Sequence, residues 1–193
     1  ALPDYFKSYE AASEKFELTE TRKRWEWRFG TPEWYQRSMK AYYSLISGVD
    51  NVVGRIIEQL EQEGLADNTV ILYHGDNGFY LGERGVAGKW YAHEVSLRVP
   101  LVVYDPRLPA AQKGTRRDQF ALSIDLAPTI LEVAGVDRPQ RMQGESLVPI
   151  LRGETPEWRD DFFYEHMFDI GERIPRSIAV MWSNRPMPRV WPL

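Results

Sequence analysis

Between residues 42 and 60, apolar side chains return at steps of three and four: Tyr42, Leu45, Ile46, Val49, Val52, Val53, Ile56 and Leu60. That spacing predicts one apolar stripe along a helix. Gly64 follows where a left-handed residue would end it. After a polar turn, "TVILY" (69–73) is apolar and largely β-branched, and "VPLVVYDP" (99–106) is a second such run closed by Pro106. Continuous apolar strands predict burial on both faces, and so a mainly parallel sheet beneath helices. "QFALSIDLAPTILEVAGV" (119–136) predicts a short strand and then a helix, with Asp125 as N-cap, Pro128 in the first turn and Gly135 at the end. "GESLVPILRG" (144–153) predicts a short helix, while "DFFYEH" (161–166) and "SIAVMW" (177–182) predict strands. Residues 1–38 are polar and aromatic with weak periodicity, which predicts loops with short helical pieces. The order of elements is that of an α/β layer architecture.

Composition narrows the function classes. A chain of 193 residues, 43% hydrophobic and 27% charged, can build one ordinary core. A net charge of −4 argues against nucleic acid as the main partner. The cations of "TRKRWEWRF" (21–29) read as a solvated helix face or a lid. There is no cysteine, so disulfides, thiolate metal sites and a cysteine nucleophile are excluded within this chain. No apolar run reaches the ~18 residues of a membrane-spanning helix. "ALPDYFKSYE" carries neither an initiating methionine nor a secretory signal, and reads as the middle of a longer polypeptide.

The chemistry concentrates in "YHGDNGFYLGERGVAGKW" (73–90), a glycine-rich stretch with an Asp-Asn pair at its start and a lysine near its end. Asp76 and Asn77 stand just past the end of "TVILY", where open α/β sheets bind ligands. Gly75 and Gly78 bracket them and allow close backbone approach. Carboxylate and amide oxygens suit a hard cation, Ca²⁺ or Mg²⁺, better than zinc. On the tripeptide alone, an Asx turn is the better reading.

The wider pattern resembles the sulfatase family of the alkaline-phosphatase-like superfamily. "YYSLISGVDNVVGRIIEQLEQEGLADNTVILYHGDNGFYLGERGVAGKW", "HEVSLRVPLVVYDP" and "SIDLAPTILEVAGVDRPQRMQGESLVPILRG" follow the family's order, and the likeness covers roughly residues 40–166. The resemblance implies part of an alkaline-phosphatase-like layered α/β fold: a mainly parallel or mixed sheet with flanking helices, incomplete at both ends. It implies that Asp76 and Asn77 are metal ligands, usually for Ca²⁺, and that Lys89 contacts sulfate. His166 is a candidate substrate contact. His74 is expected to pack behind the site, His93 to be structural and Glu83 to shape the loop. Ser96 and Arg98 are expected to brace the loop against the sheet, and Arg84 carries no expected role. The implied substrate is a sulfated small molecule or glycan, with neither a nucleic-acid partner nor a membrane span. A periplasmic or extracellular setting is compatible with the family.

The family also uses a formylglycine made from Cys or Ser in a Cys/Ser-x-Pro-x-Arg motif, and this sequence contains no such motif. The family's first pair of metal-binding aspartates and its upstream active-site histidine have no counterparts either. The chain therefore reads as a C-terminal portion of a sulfatase, inactive alone, whose formylglycine belongs to a missing N-terminal part. Three segments are expected: lead-in loops and short helices over 1–38, α/β domain over 39–160, and the start of a small subdomain over 161–193. The proline-rich tail after Met181 reads as a truncation or a shifted frame. A phosphodiesterase or phosphonate hydrolase of the same superfamily, and a non-catalytic α/β domain, remain as alternatives.

Overall fold

The computed structural model describes residues 19–167, 177–182 and 191–192. It opens with two capped helices. Thr19 Oγ1 accepts from the Arg22 amide at 3.3 Å and starts α1, Glu20–Phe29. Thr31 Oγ1 accepts from the Trp34 amide at 3.2 Å, and Pro32 takes the first turn of α2, Pro32–Gln62. Proline fits there because its missing donor would have had no partner in the helix. The long helix thus begins upstream of the point where periodicity first shows it. Gly64, at φ +65°, ends it as expected, with Leu65 N donating to Leu60 O at 2.8 Å.

The two helices meet differing fates. In α1, Arg22, Trp25 and Phe29 are buried, and Trp25 and Phe29 form a cluster with Ala87. The reading of this stretch as a solvated face is corrected: positions 22, 25 and 29 share one side, and apolar surface covers it. In α2, no residue is buried, and Leu45, Val49, Val52 and Ile56 lie exposed. The apolar stripe exists as predicted, but no other described element covers it.

β1 (Ile71–His74) pairs with β4 (Leu101–Tyr104), Ile71 opposite Tyr104 and His74 opposite Leu101. The pairing is antiparallel, which corrects the parallel expectation. So is each further strand pair among the described residues. Apolar residues on both faces say nothing about strand direction. In β4, Leu101 and Val103 are half-buried while Val102 and Tyr104 are exposed, so a one-sided strand is hidden inside a uniformly apolar run.

Between β1 and β4 lie a tight hairpin, β2 (Tyr80–Leu81) with β3 (Ala87–Gly88), and a single helical turn, α3 (Glu94–Leu97). Downstream, the short strand expected at the start of 119–136 does not form. A 3-10 turn over Ser123–Asp125 leads into α4, Leu126–Ala134, which Gly135 ends at φ +69°. Asp125 takes the N-cap position of α4 as expected, but its side chain makes no capping hydrogen bond to that helix. Its wholly buried carboxylate accepts from the amides of Leu122 (2.7 Å) and Glu145 (2.8 Å) and from both Arg159 Nη atoms, at 2.5 and 2.9 Å. Thr129 adds a second tie, donating to Asp125 O and accepting from Leu147 N at the start of α5, Val148–Leu151.

β5 (Asp161–His166), β6 (Ser177–Trp182) and β7 (Trp191–Pro192) form a separate antiparallel sheet. The proline-rich tail thus supplies two edge residues. An edge is where a strand tolerates proline. The break was placed near Met181, and residues 183–190 that follow it lie outside the described set, as do 1–18 of the lead-in. No helix among the described residues is long and apolar enough to cross a membrane.

Candidate functional site

Close packing builds the site. Gly75 N donates to Pro100 O at 3.3 Å, where β1 ends against β4. Three residues on, Gly78 N donates to Ser96 O at 2.9 Å in α3. A Cβ on Gly78 would sit 2.2 Å from Val95 O, so only glycine fits. Asp76 and Asn77 are held between these two anchors. Asp76 is exposed, and its Oδ1 accepts from Asn77 N at 2.8 Å. Asn77 Nδ2 donates to Gly78 O at 2.7 Å, which leaves its Oδ1 facing the hairpin. Lys89 Nζ donates to that Oδ1 at 2.5 Å.

So the structure brings Asn77 and Lys89 into contact across the glycine-rich loop, with Asp76 next in the chain. It does not join His166 to them by any hydrogen bond among the described residues. His166 ends β5, and its buried Nδ1 has no hydrogen-bond partner among the described residues. His74 meets Ser123 instead, Nε2 to Oγ at 3.5 Å. Glu83 shapes the loop as expected: its Oε2 accepts from Leu81 N at 2.6 Å. Ser96 braces the loop through its backbone oxygen, whereas Arg98 points to solvent and pairs with Glu94 at 3.5 Å.

The loop's shape rests on partners that the sequence motif did not reveal. Fully buried Arg22 reaches from α1 to donate from Nη1 to Gly85 O at 3.1 Å. Burial lowers its pKa to about 10, with Glu26 opposing part of the fall. Tyr80 is fully buried and its hydroxyl meets His93 Nδ1. Burial raises the tyrosine pKa. Burial first, and the charge of Arg84 second, lower that of His93. Both shifts favour a neutral pair in which the phenol donates. Arg84 itself adopts left-handed backbone, φ +59°. The signal for α1 was present in the i, i+3, i+7 recurrence of Arg22, Trp25 and Phe29, masked by the cations between them.

The donors suit a hard divalent cation in kind: one carboxylate and one amide oxygen at a strand end. They do not suit it in number. Among the described residues, no group of three or more His, Cys, Asp or Glu gathers that could hold a metal. Asn77 Oδ1 is moreover already taken by an ammonium.

The family model described as Sulfatase matches residues 1–136. The chain is 38% identical over 135 residues to an N-acetylglucosamine-6-O-sulfatase of Bacteroides thetaiotaomicron, covering 68% of this chain and 24% of that one. It thus spans about a quarter of that relative's length. A solved structure of a protein in complex with its substrate D-glucosamine-2-N,6-O-disulfate superposes with a TM-score of 0.72 at 30% identity, covering 82% of this chain and 34% of that one. A phosphonate monoester hydrolase from Silicibacter pomeroyi gives 0.68 at 29% identity, covering 84% and 36%.

Proposed function

The chain belongs to the sulfatase family, and from that premise we propose that it carries part of the sulfate- and metal-binding site of a sulfuric ester hydrolase. Lys89 is the sulfate contact, and Asp76 and Asn77 are the metal ligands. The observation that carries this reading is the Lys89–Asn77 contact at the end of β1. A side chain that meets the amide oxygen beside a carboxylate stands where an anionic ester would be clamped. Its ammonium can take up negative charge as it grows on the sulfate oxygens. Asn77 orients the ammonium, and Gly78 holds Asn77 against α3. Asp76 and Asn77 would be two of the several ligands that hold a divalent cation, Ca²⁺ by family resemblance, and that cation would supply electrophilic polarisation of the sulfate.

The substrate class is a sulfated sugar or small molecule, supported by the relative named for N-acetylglucosamine 6-O-sulfate and by the neighbour holding a disulfated glucosamine. Residues 39–160 serve as part of the α/β domain, and 161–193 open a smaller subdomain. No Cys/Ser-x-Pro-x-Arg motif occurs in the sequence, so formylglycine cannot form at one here, and this chain alone does not turn over.

Two measurements on the purified chain test the reading. Hydrolysis of a chromogenic aryl sulfate is expected to match an Asp76→Ala control; turnover above that control would overturn the inactivity. Calorimetric titration with glucosamine 6-sulfate is expected to show weak binding that Lys89→Met removes. Binding that survives the substitution would remove Lys89 from the site. The phosphonate hydrolase neighbour keeps a second reading in view. Tighter binding of a phenylphosphonate than of the sulfate would favour it.

A further inference from the structure

Lys89 lies between two residues with left-handed backbone, Gly88 at φ +105° and Trp90 at φ +91°. Glycine adopts such angles freely, whereas a bulky aromatic residue keeps them only where its surroundings impose them. Two contacts hold Trp90. The Tyr164 hydroxyl, from β5, donates to Trp90 O at 3.0 Å. The Arg24 guanidinium stacks on the indole at 4.7 Å and is itself fixed by Glu20, Nε to Oε1 2.7 Å.

Resting on the reading of Lys89 as the sulfate contact, we infer that Tyr164 is a positioning residue for Lys89, clamping the Trp90 carbonyl so that the lysine side chain is aimed at Asn77. Tyr164 is well placed to hold a neighbour still. It packs on the cluster of Ala92, Ala179 and Met181, in mid-strand opposite Ala179. Burial raises its pKa, so the phenol keeps the proton it donates. Without that hydrogen bond, Trp90 relaxes toward negative φ. The peptide joining it to Lys89 then turns, and the ammonium leaves Asn77. β5 thus reaches the site through the chain segment next to Lys89, although its own His166 makes no hydrogen bond there among the described residues.

Competitive acetylation of the intact chain with acetic anhydride, read lysine by lysine by mass spectrometry, tests this without any turnover. In Tyr164→Phe, labelling of Lys89 should rise about tenfold, the order that one strained backbone conformation can govern. Lys40 and Lys113 should keep their rates. Trp90→Gly removes the need for a clamp, since glycine accepts the same φ. In that background Tyr164→Phe should change Lys89 labelling by less than about twofold. A hydroxyl that merely stabilised the fold would act alike in both backgrounds. Unchanged labelling of Lys89 in Tyr164→Phe would overturn the proposal, and so would an equal rise at all three lysines. Sodium sulfate tests the underlying reading separately. If it fails to protect Lys89 in the unsubstituted chain, the sulfate contact falls, while the comparison made without sulfate still decides the positioning.

Discussion

The Lys89 ammonium meets the Asn77 amide oxygen at 2.5 Å, twelve residues away along the chain. Neither side chain is free to choose this. Asn77 is fixed by the approach of Gly78 to α3, where one added methyl group would lie 2.2 Å from Val95 O and 2.8 Å from Ser96 C. Both obstacles are backbone and cannot rotate away. Gly78→Ala should therefore destabilise the chain by about 3 kcal/mol, the upper range for overpacking. Urea unfolding reads this directly, and a loss under about 0.5 kcal/mol would mean that the loop is not pressed on α3.

The Tyr80–His93 pair gives the chain a pH dependence. Burial, then the Arg84 charge, lower the pKa of His93 below its ordinary value of 6.5. The folded chain therefore resists taking up a proton that the unfolded chain accepts. As pH falls below about 6.5, the unfolded state binds more protons and stability is lost; above it the contribution is fully present. His93→Gln keeps a side chain that can accept from Tyr80 but does not titrate. Between pH 7.5 and 5, the thermal midpoint of the unsubstituted chain should fall further than that of His93→Gln. Parallel curves would contradict a depressed His93.

Much of this was legible beforehand, for reasons that can be traced. The helix at 42–60, the stop at Gly64, and β1, β5 and β6 follow from local spacing and local chain chemistry. So does the placement of Asp76 and Asn77 at a strand end. What was misread depends on distant partners. The direction of β4 is set by pairing, which an all-apolar run does not encode. Asp125 looks like a helix cap beside its own helix, but Arg159, thirty-four residues away, claims its carboxylate. Trp90 carries no local sign of its left-handed backbone, because the cause lies in Tyr164 and Arg24.

Asp125 should matter more to stability than the exposed ion pairs. Its carboxylate is fully buried, and Arg159 supplies two of its four hydrogen bonds. Arg159→Ala would leave a buried charge with two amide donors and no counter-ion. Removing one partner of such a pair costs about 3 kcal/mol. The Arg116–Asp118 pair is solvent-exposed at 3.7 Å, so Arg116→Ala should change stability by less than about 0.5 kcal/mol. Equal losses in the two variants, by chemical denaturation, would refute the ranking.

The uncovered stripe on α2 should govern association in solution. Leu45, Val49, Val52 and Ile56 recur on one side of the helix, and all are exposed. A contiguous apolar face of this kind gains by leaving water, and on an isolated chain a second copy is the available partner. Sedimentation velocity should show concentration-dependent association of the purified chain. The double substitution Val49→Glu, Val52→Lys should reduce it, with little effect on the thermal midpoint because nothing described packs on these residues. Association that persists unchanged would assign the contact to another surface.

Calcium should bind this chain weakly, and Lys89 should oppose it. Two oxygen-bearing side chains, Asp76 and Asn77, are about a third of the 6–8 ligands that calcium takes. One of those oxygens already accepts from an ammonium at 2.5 Å. A dissociation constant of about 1 mM or weaker follows, and at 1 mM calcium the gain in stability is then at most ~0.4 kcal/mol. The ammonium would stand near any ion that shares Asn77. Repulsion between a divalent ion and a unit charge ~4 Å apart in a wet site is on the order of 2 kcal/mol, which is about thirtyfold in affinity. Lys89→Met should therefore tighten calcium binding by about that factor, and Asp76→Ala should abolish it. Calorimetric titration of the three chains makes the comparison. Micromolar binding would show that other residues complete the shell. Binding equal in Lys89→Met and the unsubstituted chain would show that the ion does not sit at Asn77.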